Sequence, residues 1–376
     1  MTLSQPAVRA IPFFRYAHLF ATQREEILAA VTDVMDRGAF ILQSDLDEFE
    51  RRFAAYVGAA HAIGVANGTD ALIIALRACG VGTGDEVILP SHTYVASAAA
   101  VHFAGATPVL VDCRDDHLIN PAAVEAAVTS RTRAVMPVQL NGRTCDMHAL
   151  QATADRHGLR IVEDAAQGLG SKFRDRSAGT FGSAAGFSFY PAKVLGCFGD
   201  GGGLTTNDDA TAREIRLLRD HGRDERGEVV TWGLNSRLDT LQAAVLNVKL
   251  DIFDAEIARR RAIASRYDAQ LRDLDDLLLP PAPDADPDHF DVYQNYEVEA
   301  GARDALRRHL EQNGVRTIIQ WAGRAVHQFE GLTVRTMDVS RTELLFRRCF
   351  LLPMNTSLAD DEVDYICDSI RQFYGR

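Results

Sequence analysis

Only three lysines occur in the 376 residues, Lys172, Lys193 and Lys249, and one of them stands where an amine can become a nucleophile. Lys193 ends the run Gly186-Phe187-Ser188-Phe189-Tyr190-Pro191-Ala192-Lys193 and precedes Gly196 and the cluster Gly199-Asp200-Gly201-Gly202-Gly203. An apolar strand leading into a loop stiffened by Pro and Gly can shield an amine from water, and lost solvation favours its neutral, nucleophilic form. The same position suits a surface ion pair, so Lys193 gains weight only from its companions. Lys249, on a helix-period stretch, and Lys172, in a polar loop, are expected to be solvated surface charges.

Two companions exist. Ile161-Val162-Glu163-Asp164-Ala165-Ala166-Gln167 reads as a strand whose end presents Asp164. In an open α/β sheet, ligands sit at the carboxyl ends of strands. A carboxylate there can pair with a protonated ring nitrogen, which pyridoxal phosphate (PLP) needs to act as an electron sink; taken alone, Asp164 reads equally well as a helix N-cap. Ala66-Asn67-Gly68-Thr69-Asp70 closes another run and opens a helix, so its free N–H groups could cradle a phosphate, although an ordinary capped turn has the same look. This loop is neither a Walker loop nor a GxGxxG fingerprint. A phosphate loop, a ring-nitrogen Asp and a Schiff-base lysine, in that order, are the parts of a PLP enzyme.

The elements that must position these residues follow a consistent pattern. Seven short apolar runs, His61–Ala66, Glu86–Pro90, Pro108–Asp112, Ala134–Leu140, Arg160–Asp164, Ala184–Phe189 and Gly203–Thr206, alternate with helical stretches. They predict an α/β fold with a seven-stranded, mostly parallel sheet between helices. An opening helix over Arg24–Arg37 carries Ile27, Leu28, Val31, Val34 and Met35 on one stripe. After the loop Gly222–Gly233 a helix with Leu241, Val245, Val248 and Ile252 in phase leads out of the first domain. The division expected is a large domain over residues 1–245 and a smaller α+β domain over 246–376. Pro280-Pro281-Ala282-Pro283 and the acidic residues after it mark a surface loop, and Arg259-Arg260-Arg261 is expected to be a solvated helix face.

Bulk properties bound the function. A hydrophobic content of 47% suits a folded protein, and a formal net charge of −12 argues against nucleic-acid binding, which needs a basic face. Six cysteines lie far apart without a CxxC pair, so no metal site or disulfide scaffold is expected and a reducing cytoplasm fits them. There is no secretory pattern and no stretch of about 18 uninterrupted apolar residues, so no membrane association is expected.

Five motifs, ANGTDAL, GDEVILPSHTY, VEDAAQ, GFSFYPAK with GDGG, and GLNSRLDTLQAAVL, make the chain resemble the DegT-type nucleotide-sugar aminotransferases over nearly its whole length, from Ile11-Pro12-Phe13 to Leu352-Pro353 and the final helix. The resemblance implies a fold type I PLP-transferase in which Lys193 forms the Schiff base. Gly68, Thr69 and Ser188 would hold the phosphate, Tyr94 would stack on the ring, Asp164 would pair with the ring nitrogen, and Gln167 would contact the ring hydroxyl. Asn235 would reach the phosphate in a neighbouring subunit, which implies a homodimer with shared active sites. The implied reaction moves an amino group from L-glutamate, through pyridoxamine phosphate, to a nucleotide-linked keto-sugar, by default a dTDP-4-keto-6-deoxyhexose aminated at carbon 4 or carbon 3.

A related branch dehydrates sugars and has a His where this chain has Lys193, and a non-catalytic regulatory relative is the remaining alternative. Near the sugar site the chain departs from its relatives: Gln139-Leu140-Asn141-Gly142 replaces His-Leu-aromatic-Gly, and Ile319-Gln320-Trp321-Ala322-Gly323 lacks an aromatic-Pro stretch. Trp321 and His327 are the substrate candidates there, and Arg316 and Arg324 are candidates for a diphosphate.

Overall fold

A computed structural model describes residues 9–376. All seven apolar runs form strands: β1 His61–Val65, β2 Glu86–Pro90, β3 Thr107–Val111, β4 Thr132–Val135, β5 Arg160–Asp164, β6 Ala184–Ser188 and β7 Gly202–Thr206. Further along lie β8 Leu277–Leu278, β9 Tyr296–Ala300, β10 Arg335–Thr336 and β11 Cys349–Leu352. The large sheet runs β1-β7-β6-β5-β4-β2-β3-β10. Only β7 is antiparallel to its neighbours. Its eighth member, β10, corrects the expected seven: two residues on the edge beside β3 are too short to leave an alternation in the sequence.

The central strands are buried on both faces, which is why they read as continuous apolar runs. Their carboxyl ends matter most. Because β1, β5 and β6 point the same way, Asn67, Asp164 and Ser188 emerge on one edge of the sheet. Helices α1 (Arg24–Arg37), α2 (Gly68–Ala78) and α3 (Val95–Phe103) precede α4 (Thr240–Leu250) and α5 (Phe253–Leu271), which lead to the second sheet, β8-β9-β11. That sheet packs with α5 and α6 (Asp360–Phe373) around Tyr267, Tyr296, Phe350 and Val363. Ile11 joins this cluster and pairs with Val315, so the N-terminal segment is anchored among residues far along the chain.

Three expectations fail for physical reasons. In α1 only Ile27 and Val34 of the stripe are buried, while Leu28 and Met35 are exposed. Arg259-Arg260-Arg261 is not a solvated face: Arg260 is buried and donates to the carbonyls of Tyr293, Gln294 and Met354. Its neighbours bond to Leu358, Asp360, Asp284 and Asp291. Lys249 is not a solvated charge either. Its Nζ donates to the Gly196 carbonyl and sits 4.9 Å from the Phe198 ring centroid, and burial lowers its pKa to about 8. The Pro-rich loop lacks regular structure, as expected.

Candidate active site

Asp164 is 5% exposed at the end of β5. Ser97, on α3, donates to its Oδ2 at 2.6 Å, and the N–H of Ala166 donates to Oδ1 at 3.1 Å. No helix follows, so the N-cap alternative falls away. Burial raises the Asp164 pKa, against the pull of these two donors and of Lys193. A carboxylate so placed gains from a cation brought beside it, which is what a protonated ring nitrogen supplies.

Lys193 follows β6 in a tight loop, and its own N–H donates to Tyr190 C=O at 2.8 Å. A Cβ at Gly196 would lie 2.6 Å from that same carbonyl, so the loop closes only with glycine there. Burial lowers the Lys193 pKa to about 8, with the Asp164 charge opposing the shift. About a tenth of the amine is then neutral at pH 7, several hundredfold more than at the ordinary lysine value, and the neutral form is the one that nucleophilic attack requires.

The loop after β1 is a capped turn with open amides. Asn67 caps α2 by accepting the Asp70 N–H at 2.8 Å, which leaves the N–H groups of Gly68 and Thr69 without acceptors among the described residues. Helix-end donors of this kind attract phosphate. Ser188 lies so close that a Cβ on Gly68 would meet its Cβ at 2.8 Å. Tyr94, 55% exposed, stands at the N-cap position of α3 on the cavity wall.

Gly68, Thr69, Tyr94, Asp164, Gln167, Ser188, Lys193 and Trp321 all line one cavity of about 620 Å³. Gln167 Oε1 accepts from the Asn141 N–H at 2.8 Å and from Asn295 Nδ2 at 3.3 Å, which turns its Nε2 away as a free donor. Asn235 is exposed and lines a neighbouring recess with Arg237 and Asp239. It is not the cap of α4, which begins after Asp239. His327 does not line the cavity and bonds to Ser91 Oγ at 2.7 Å. Arg316 pairs with Glu311, and neither it nor Arg324 reaches the cavity. Lys193 is the one cation among its described lining residues.

Sequence reasoning missed a polar wall behind this cavity. Asn141 and Gln320 donate to buried Glu297, each at 2.9 Å, and His117 bridges Glu297 and Glu299 at 2.9 and 3.0 Å. Burial opposes a charge on His117, but hydrogen bonds to the two carboxylates outweigh it and raise the pKa to about 9. Gln139 bonds to the fully buried Glu163, which three backbone N–H groups also contact. Isolated carboxamides carry no motif, and the signals available were the two departures at residues 139–142 and 319–323, which hold Gln139, Asn141 and Gln320.

The donor set fits PLP: helix-end amides and a hydroxyl for its phosphate, a buried carboxylate for its ring nitrogen and an amine of lowered pKa for its aldehyde. Comparison with known proteins agrees. A dTDP-3-amino-3,4,6-trideoxy-alpha-D-glucose transaminase of Streptomyces venezuelae is 43% identical over 371 residues, covering 97% of both chains. A UDP-2-acetamido-2-deoxy-3-oxo-D-glucuronate aminotransferase of Pseudomonas aeruginosa is 41% identical over 83% of this chain and 86% of its own. The crystal structure of S. venezuelae DesV in complex with a ketimine intermediate superposes with a TM-score of 0.93 at 42% identity, over 98% of this chain and 99% of that one. The model of the DegT/DnrJ/EryC1/StrS aminotransferase family matches residues 21–371, and the chain belongs to that family of PLP-dependent sugar aminotransferases.

Proposed function

We propose that this protein transfers an amino group from L-glutamate to carbon 3 of a dTDP-linked keto-deoxyhexose. The observation that carries the reading is the convergence of Lys193, Asp164 and the open N–H groups of Gly68 and Thr69 on one cavity. Carbon 3 is favoured because the names of both relatives place the nitrogen or the ketone there. Lys193, where the dehydrating branch has His, supports transfer over dehydration.

In this reading Gly68, Thr69 and Ser188 hold the phosphate, Tyr94 stacks on the ring, and Gln167 donates Nε2 to the ring hydroxyl. Bound PLP supplies an aldehyde that takes up the amine and a ring that delocalises charge from the reacting carbon. Asp164 keeps the ring nitrogen protonated. Lys193 holds the cofactor through Nζ and, when released, takes a proton from the donor carbon and returns one to the sugar carbon. Trp321 offers the sugar an apolar face, backed by the His92 and Phe346 rings at 5.2 and 6.1 Å.

The proposal extends to a cytoplasmic homodimer. A nucleotide diphosphate needs positive charge, and the cavity wall offers none beyond Lys193. The recess holding Asn235 and Arg237 borders Ile41, which pairs with Asp239, and exposed Phe40; both are apolar side chains suited to a partner. Trp232 is 93% exposed nearby in sequence. The chain then divides near residue 245, the cofactor-holding domain before it and the smaller one, whose core Ile11 joins, after it. None of the helices among the described residues is long and apolar enough to cross a membrane. Incubation with PLP, glutamate and a panel of nucleotide-linked keto-sugars, with NMR location of the new amine, tests the reading. Amination at carbon 3 is expected; no amination of any sugar would sink it.

A further inference from the structure

Gln294 lies at the entry to β9 and is 4% exposed. Both ends of its carboxamide are engaged by the loop that carries Lys193. Nε2 donates to Ala192 C=O at 2.8 Å, and Oε1 accepts the Val194 N–H at 2.7 Å. These peptide groups immediately precede and follow Lys193. Among the described residues no other side chain bonds to the backbone of residues 192–194.

The bracket is itself anchored. Arg260 Nη1 donates to the carbonyls of Tyr293 and Gln294 at 3.1 and 3.3 Å, and Val292 N–H donates to Gly142 C=O at 2.9 Å. A buried cation therefore fixes the backbone of Gln294, and Gln294 fixes the peptides around the amine. Lysine has four rotatable side-chain bonds, so Nζ returns to one place only if its Cα is held. A planar amide can hold it, because it presents a donor and an acceptor at a fixed separation, matching the carbonyl of one residue and the N–H two residues on. The local turn bond from Lys193 N–H to Tyr190 cannot do the same, because it moves with the loop.

We infer that Gln294 is a positioning residue for Lys193, bracketing the peptide groups on either side of it and so fixing the point from which Nζ reaches the cavity. The inference rests on reading Lys193 as the residue that attaches PLP. It adds a consequence: the nucleophile's placement is set from the second sheet, since Gln294 enters β9, and not by the large sheet alone.

The test uses full-length protein stripped of cofactor. PLP is added, samples are quenched with borohydride at timed intervals, and the pyridoxyl-Lys193 peptide is quantified by mass spectrometry. Gln294→Met removes donor and acceptor while keeping bulk, and is expected to slow covalent capture roughly 10- to 100-fold. Equilibrium binding of pyridoxamine phosphate, which needs no bond to Lys193, should stay within about twofold of wild type. A general loss of structure would weaken both together. Folded Gln294→Met protein that captures PLP at the wild-type rate, or loses both properties in parallel, overturns the inference. If that variant does not fold, Gln294→Glu decides: it keeps the volume and an acceptor for Val194, lacks the hydrogen for Ala192 when ionised, and should also slow capture. A wild-type protein that forms no adduct at Lys193 refutes instead the assignment of the lysine.

Discussion

Replacing Lys193 by Met should make the cofactor-free protein more stable at neutral pH. Unfolded, the amine holds its proton up to about pH 10.5; folded, burial brings that value down to about 8. Below pH 8 both states are protonated, so folding must bury an ammonium and the whole cost is present. The cost shrinks between pH 8 and 10.5 and is gone above that range. At about 1.36 kcal/mol for each tenfold change in proton affinity, the cost reaches about 3 kcal/mol. Cavity water screens part of the charge, which makes this figure a ceiling. With an unfolding entropy of about 2.1 cal/mol/K per residue over a chain of this length, it corresponds to a Tm rise of about 4 °C. Melting curves of both cofactor-free proteins, followed by circular dichroism at pH 7 and pH 10.5, measure it. Met also adds apolar packing, but that gain does not vary with pH. The signature is therefore a Tm difference at pH 7 that largely disappears at pH 10.5. No gain at pH 7, or an equal gain at both pH values, would refute the burial argument.

Other perturbations give equally definite outcomes. Asp164→Asn removes one partner of a buried charge pair, a loss of about 3–5 kcal/mol, so kcat/KM should fall roughly 10²- to 10⁴-fold in a glutamate-dependent assay. Gly68→Ala puts a Cβ 2.8 Å from that of Ser188, and the resulting crowding, about 1–3 kcal/mol, should weaken PLP binding about tenfold in a spectrophotometric titration. His117 has its pKa raised to about 9, so the stability it contributes is complete below pH 6.5 and lost as pH rises through 9. His117→Gln should flatten the fall in stability across that window, by roughly 3 kcal/mol at its lower end, as read from urea unfolding at pH 6 and pH 9.5.

Much of the fold is visible in the sequence because parallel strands buried on both faces must be apolar throughout. Six of the seven runs match their strands to within one residue, while Ala134–Leu140 overlaps β4, Thr132–Val135, only at its first two residues. The cofactor groups were visible for a different reason. Lys193, Asp164 and the Gly68–Thr69 turn each combine an unusual residue with a strand end, and the chemistry tolerates little substitution.

What escaped detection lacks such a signature. Gln294, Asn141 and Gln320 act through carboxamides whose partners are distant in sequence, so no local spacing marks them. Arg260 was hidden in a basic triplet whose other members look the same on paper. Lys249 differs from a surface lysine only in the carbonyl and ring it meets. His327 was a substrate candidate, yet its ring bonds to Ser91 and does not line the cavity. Residue type alone does not record side-chain direction.

The anchoring of the N-terminal segment has a further consequence for how the protein comes into being. Phe13 and Phe14 line the cavity, but the carbonyl of Phe13 is held by Asn355, 342 residues further on, and Arg15 by Glu362. Ile11 waits for Val315. On a ribosome adding roughly 5–20 residues per second, this wall stays open until most of the chain has been synthesised. Contacts of such sequence separation are slow to form, so the substrate cavity is among the last parts of the molecule to close.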